Sequence, residues 1–151
     1  MALGYDTADP APMTTHAPDD ADRIHAFLSG DAFAVVGVST DRAKYGNKVL
    51  RNYLQAGRRV AAVHPRESVV EGVPCVPSVD ALPEGIHGLS VVTPPAVAVD
   101  IVEAAARKGI RHVWFQPGAS SETAVVRARE LGLNCLADGP CLLVALRFRD
   151  G

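Results

Sequence analysis

The segment 32–57, AFAVVGVSTDRAKYGNKVLRNYLQAG, constrains the fold more than any other part of this chain. An apolar run, 33–36, ends in Gly37, and a small polar loop follows with Ser39, Thr40 and Lys44. A helical pattern then begins near Gly46. A strand without polar alternation is buried on both faces, which demands helices above and below its sheet. The loop that leaves such a strand aims backbone amides and a helix N-terminus at one point, an arrangement that suits an anion.

The rest of the chain repeats the alternation. The pattern predicts a short helix from Asp19 and Asp20 to Leu28, with Ile24, Phe27 and Leu28 on one face. Strands are predicted over 33–38, 60–63, 89–92, 113–115 and 133–136, and helices over 47–56, 95–109 and 121–131. A strand near 73–76 carries two neighbouring prolines and is expected at a sheet edge. Ser78 and Thr93 are expected to cap the helical turns that follow them, and 140–148 is expected to form a short helix or turn. Residues 1–17 lack periodicity and read as a disordered tail, leaving one domain over 18–151. Strands alternating with amphipathic helices give an α/β class with a parallel sheet, and ligands in such folds bind beyond the strands' carboxyl ends.

Composition excludes several classes. The net charge is −2, with 15 basic and 17 acidic residues, which offers no basic stripe for nucleic acid. No stretch is long and apolar enough to span a membrane, and the amino-terminal residues lack a secretory pattern, so the expected location is cytoplasmic. Three widely spaced cysteines, Cys75, Cys135 and Cys141, make neither a disulfide framework nor a zinc pattern.

Chemistry is therefore sought at the strand ends. The first loop reads G-V-S-T-D-R where a dinucleotide fingerprint would read G-x-G-x-x-G. It offers Gly37 for a tight exit, the Ser39 hydroxyl, the Lys44 ammonium and the Asn47 amide at the helix start. The plainer alternative is that Ser39 and Asn47 cap backbone and Lys44 is a solvated charge. The second strand ends V-H-P-R: an NAD site wants a carboxylate there, whereas Arg66 suits a phosphorylated ribose or is simply a surface residue. His64, without a partner nearby in sequence, reads as structural. Thr93, Pro94 and Pro95 make a rigid ridge after the next strand, and Gln116 and Gly118 follow the one after it. No paired carboxylates, metal spacing or nucleophile elbow is visible, so no catalytic constellation is expected.

Taken together, G-V-S, K-Y-G-N, V-H-P-R, V-V-T-P-P, W-F-Q-P-G and the late A-D-G-P-C resemble the small stand-alone CoA-binding domain proteins, the YccU-like group. These are similar to the CoA-binding domain of the succinyl-CoA synthetase alpha subunit. The resemblance covers about 20–148 and implies a Rossmann-like, doubly wound parallel sheet in three α/β/α layers. It implies coenzyme A or an acyl-CoA as ligand, with Gly37, Ser39 and Lys44 at the phosphates and Arg66 at the 3′-phosphate. Thr93, Pro94 and Pro95 would line the pantetheine or adenosine path, with Gln116 and Gly118 near the pantetheine arm. The chain departs from the family in His64-Pro65, where Asn-Pro is usual, and in Gly139-Pro140, which separates Asp138 from Cys141 and leaves no arginine between them. The synthetase's phosphohistidine domain has no counterpart here. The expected function is CoA binding without independent catalysis, with a protein partner or homo-oligomer left open. The alternatives are an NADP-binding oxidoreductase and a partner-binding module without a ligand.

Overall fold

The computed structural model describes residues 19–150, so the tail reading over 1–17 lies outside the described residues. The elements run α1 (Asp20–Leu28), β1 (Ala32–Val36), α2 (Tyr45–Gln55), β2 (Arg59–Val63), β3 (Val69–Val70), β4 (Val73–Val76), β5 (Gly88–Val91), α3 (Ala98–Lys108), β6 (His112–Phe115), α4 (Glu122–Glu130), β7 (Asn134–Leu136) and α5 (Leu142–Ala145).

The seven strands form one sheet in the order β3-β4-β2-β1-β5-β6-β7, with every pairing parallel except β3 with β4. Its six mutually parallel strands follow the Rossmann order, and the direction of winding reverses between β1 and β5. The alternation of the strands divides the core. Ala34 and Val36 of β1 pack with Val102 and Ala105 of α3 and with Ala124 and Ala128 of α4. Phe33 and Val35 pack on the other face with Phe27 of α1, Val49, Leu50 and Tyr53 of α2, and Leu142 of α5. Every residue of β1 is buried, which is why its sequence carries no polar alternation. The second face is aromatic: Phe33 stacks on Phe27 and Tyr53, and the Tyr53 hydroxyl meets Ser90 Oγ at 2.6 Å.

Local chemistry fixes most boundaries. Asp19 and Asp22 close a capping box on α1, Ser121 Oγ accepts from the Ala124 amide to start α4, and Gly109 ends α3 with φ +81. Three expectations change. β4 is internal rather than an edge, because β3 pairs with it on the side away from β2; Pro74 and Pro77 are tolerated because only Cys75 and Val76 between them pair with β2. Ser78 makes no side-chain cap to the 3-10 turn Val79–Ala81. Thr93 caps nothing: the chain passes through a 3-10 turn, Pro95–Val97, whose cap position is Pro94.

Candidate functional site

The ends of β1 and β5 meet where the winding reverses. Gly37 leaves β1 with φ +100, and a side chain there would bring its first carbon within 2.9 Å of Thr93 Cγ2. Only glycine lets the two strand exits lie this close. The loop that follows is folded on its own polar groups. The Asp41 amide donates to Ser39 Oγ at 3.0 Å, and the Ala43 amide donates to Asp41 Oδ1 at 3.0 Å. Lys44 stands at the cap position of α2 with no side-chain hydrogen bond there, and the first turn contains no acidic residue. No side chain of the helix itself thus offsets the positive end of its dipole; the Glu71 carboxylate reaches the first turn through Asn47.

Asn47 is tied into the protein at the start of α2. It is fully buried, and its Nδ2 donates to the Ser39 carbonyl at 2.8 Å and to Glu71 Oε2 at 3.0 Å. Its Oδ1 accepts from Arg51 Nε at 2.6 Å. Arg51 also donates to the Arg42 carbonyl at 2.9 Å and reaches Asp150 at 3.2 Å, and Glu71 pairs with Arg42 at 3.3 Å. Asn47 is therefore a strut that fixes the loop to the β3–β4 turn and the carboxyl-terminal segment. The i,i+4 spacing of Asn47 and Arg51 was available in the sequence; Glu71, far away in the chain, was not.

Gly46, read from the sequence only as the start of a helix, has a packing role. A first side-chain carbon on it would lie 2.1 Å from the Gly37 carbonyl oxygen. It performs the close helix-to-strand packing that the last glycine of a dinucleotide fingerprint performs, so the loop is respelled rather than defective. The signal was a glycine in a helical first turn, where it costs stability unless packing requires it.

Past β2, His64 Nδ1 accepts from the amides of Arg66 at 3.0 Å and Glu67 at 2.9 Å. The ring thereby does what an asparagine carbonyl does at such a turn, which accounts for the His-Pro spelling. The turn leaves the Arg66 side chain exposed. Among the described residues neither Arg66 nor Lys44 is paired with a carboxylate.

A cleft of about 350 Å³ opens at these strand ends, with apolar walls that include Val36, Val63 and Ile101 and a charged rim of Asp100 and the Asp80–Arg107 ion pair; Thr93 also lines it. Thr93 Oγ1 is buried beside it without a hydrogen-bond partner. A depression of about 430 Å³ elsewhere, on the outer surface of α3 and α4, is rimmed by the Arg127–Glu103 ion pair and touches no strand end; the cleft is the better candidate. Pro94 and Pro95 are exposed next to Thr93. At the end of β6, Gln116 is 1% exposed; its Oε1 accepts from the Leu142 amide at 2.9 Å and its Nε2 has no partner. Gly118, with φ +87, turns the chain just beyond it.

The site thus combines an uncapped helix N-terminus, two unpaired cations, an apolar cleft and two unpartnered buried polar groups. That donor set fits an elongated ligand with an anionic segment and an amide-bearing, partly apolar arm. Among the described residues no group of three or more potential ligands is arranged for a metal ion, and no helix is long and apolar enough to cross a membrane.

Fold and site together define a Rossmann-like α/β domain with its polar loop at the reversal of winding. Residues 31–147 match the CoA binding domain family, and the chain belongs to that family. It is 34% identical over 119 residues to an ADP-forming acetate–CoA ligase of Archaeoglobus fulgidus, an alignment that covers 68% of this chain and 17% of that enzyme. The chain thus spans about a sixth of that relative's length. A conserved hypothetical protein from Pyrococcus furiosus superimposes with a TM-score of 0.72 at 35% identity, over 76% of this chain and 97% of that one. A hypothetical protein from Pyrococcus horikoshii gives 0.77 at 29% identity, over 89% and 93%.

Proposed function

We propose that this chain binds coenzyme A, free or acylated, across the carboxyl ends of its parallel strands, and that it catalyses no reaction alone. The observation that carries the reading is the junction of Gly37 with Thr93. There an open helix N-terminus, an apolar cleft and an unpartnered hydroxyl converge, in a chain whose family is defined by CoA binding.

The roles follow from position. Amides after Gly37, the Ser39 hydroxyl and Lys44 meet the pyrophosphate, with Asn47 holding their loop rather than touching the ligand through its side chain. Arg66 meets the 3′-phosphate. Thr93, Pro94 and Pro95 border the path between the adenosine and pantetheine ends. Gln116 Nε2 supplies a donor for an amide carbonyl of the arm, and Gly118 lets backbone approach it.

Thermal unfolding with CoA, NADP and NAD tests the reading. A ligand at 100 times its Kd stabilises by about 2.7 kcal/mol, so CoA should raise the midpoint. A rise with NADP and none with CoA would overturn the CoA reading in favour of an NADP site.

A further inference from the structure

The fold brings Cys141 beside the start of α2. The residue lies outside the strands, at the cap position of α5, and is half-buried. Its Sγ is in hydrogen-bond contact with the hydroxyl of Tyr45, the first residue of α2. A thiol 96 residues further along the chain is thus brought to the helix that opens the phosphate loop. Pro140 is pinned by Trp114, whose Nε1 donates to its carbonyl at 3.0 Å, so the peptide leading into Cys141 is fixed.

Gln116 points independently to a ligand at this place. Its carboxamide is held against the start of α5 by the bond from the Leu142 amide, one residue beyond Cys141, and its Nε2 lacks an acceptor although the side chain is almost wholly buried. A buried donor without an acceptor is costly unless a bound group supplies one.

Resting on the CoA reading above, we infer that Cys141 is a thiol–disulfide exchange site that captures CoA disulfides as a mixed disulfide. The Cys141 thiolate attacks one sulfur of a disulfide that contains CoA. The S–S bond of that disulfide breaks, a Cys141–CoA S–S bond forms, and the other half leaves as a thiolate that takes up the proton lost from Cys141. One disulfide is exchanged for another, so no external oxidant is required. The Tyr45 hydroxyl is held protonated, first by burial and then by Cys141 itself, and is within reach to donate to a thiolate formed there. Cys135 is buried within the core and excluded from this chemistry. Cys75 is partly exposed but sits in β4, with no polar partner beyond the Val73 carbonyl.

The test is intact mass after incubation of reduced protein with oxidised CoA or, separately, with oxidised glutathione. One CoA per chain is expected, mapped to Cys141 by peptide mass. It should form about tenfold faster than the glutathione adduct, because nucleotide binding raises the local concentration of the disulfide. Cys141→Ser should lose the adduct and Cys75→Ser should keep it. An adduct on Cys75, equal rates with the two disulfides, or no adduct overturns the inference. Calorimetry with reduced CoA separates the two layers: binding of reduced CoA without an adduct removes only the exchange role, whereas absence of binding removes the CoA reading too. Peptide mapping of the wild-type chain decides the matter even where the serine variant fails to fold.

Discussion

Gly46 lies against Gly37 so closely that a methyl group on its α-carbon would come to 2.1 Å from the Gly37 carbonyl oxygen. The neighbour is backbone and has no rotamer by which to retreat. Gly46→Ala gains about 1 kcal/mol of helix propensity but must displace α2 from the end of β1, and overpacking of this kind costs about 1–3 kcal/mol. Net destabilisation is expected, read as a lower urea midpoint, together with weaker CoA binding because the loop amides move. A variant as stable as the parent would show that α2 slides without consequence.

Arg66 stands exposed beyond the β2 turn and is unpaired among the described residues. Arg66→Glu should weaken CoA by about 10- to 100-fold, the value of one charged contact turned repulsive. Dephospho-CoA should lose little. Equal losses for the two ligands, measured by calorimetry, would remove the 3′-phosphate role.

Thr93 Oγ1 is buried without a partner in the absence of ligand. Replacing it by the similarly shaped valine deletes an unsatisfied hydroxyl, so Thr93→Val should leave the free protein as stable or up to about 1 kcal/mol more stable. The same change should weaken CoA about tenfold. Loss of stability in the free protein would mean that the hydroxyl already has a partner.

At the opposite end of the sheet, His112 stacks on His87 with ring centroids 4.1 Å apart. Its Nδ1 meets Asn134 Nδ2 at 3.0 Å, the edge of Phe27 faces it, and Arg111 is its neighbour in the chain. Burial first, then His87 and Arg111, push its pKa down from 6.5 to about 4. The unfolded chain therefore takes up a proton that the folded one refuses, and stability is full above about pH 6.5 and falls as the pH drops towards 4. The shift is worth about 3 kcal/mol at face value and about 1–2 kcal/mol after solvent screening of a half-buried ring. Urea midpoints at pH 7.5 and 5 should differ accordingly. The carboxyls of Glu103 and Asp150, held low by Arg127 and Arg51 respectively, stay ionised at pH 5. His112→Gln should shrink the difference; an unchanged difference assigns it to other groups.

What was legible in the sequence was short-range. The unbroken apolar run 33–36, the helical spacing of Val49, Leu50 and Tyr53, the acidic helix start at Asp19 and Asp20 and the Ser121 cap each record an interaction within a few residues or burial on a fixed period. They determined an α/β sheet with its loops at the carboxyl ends of the strands, and the order of the loop motifs carried the CoA-binding family.

What only the tertiary structure decided depends on contacts between distant segments. Pro74 and Pro77 marked an edge by local rule, yet β4 is internal because β3 pairs on its far side, while pairing to β2 is confined to the two residues between the prolines. The bonds of Asn47 to Glu71 and Arg51 and the approach of Gly46 to Gly37 join segments that no local pattern relates. Cys141 had no partner in its own stretch of chain, and the fold brought Tyr45 to it. Periodicity sets which face of an element is buried, but the neighbour that face meets is chosen by strand order and register, which no local pattern encodes.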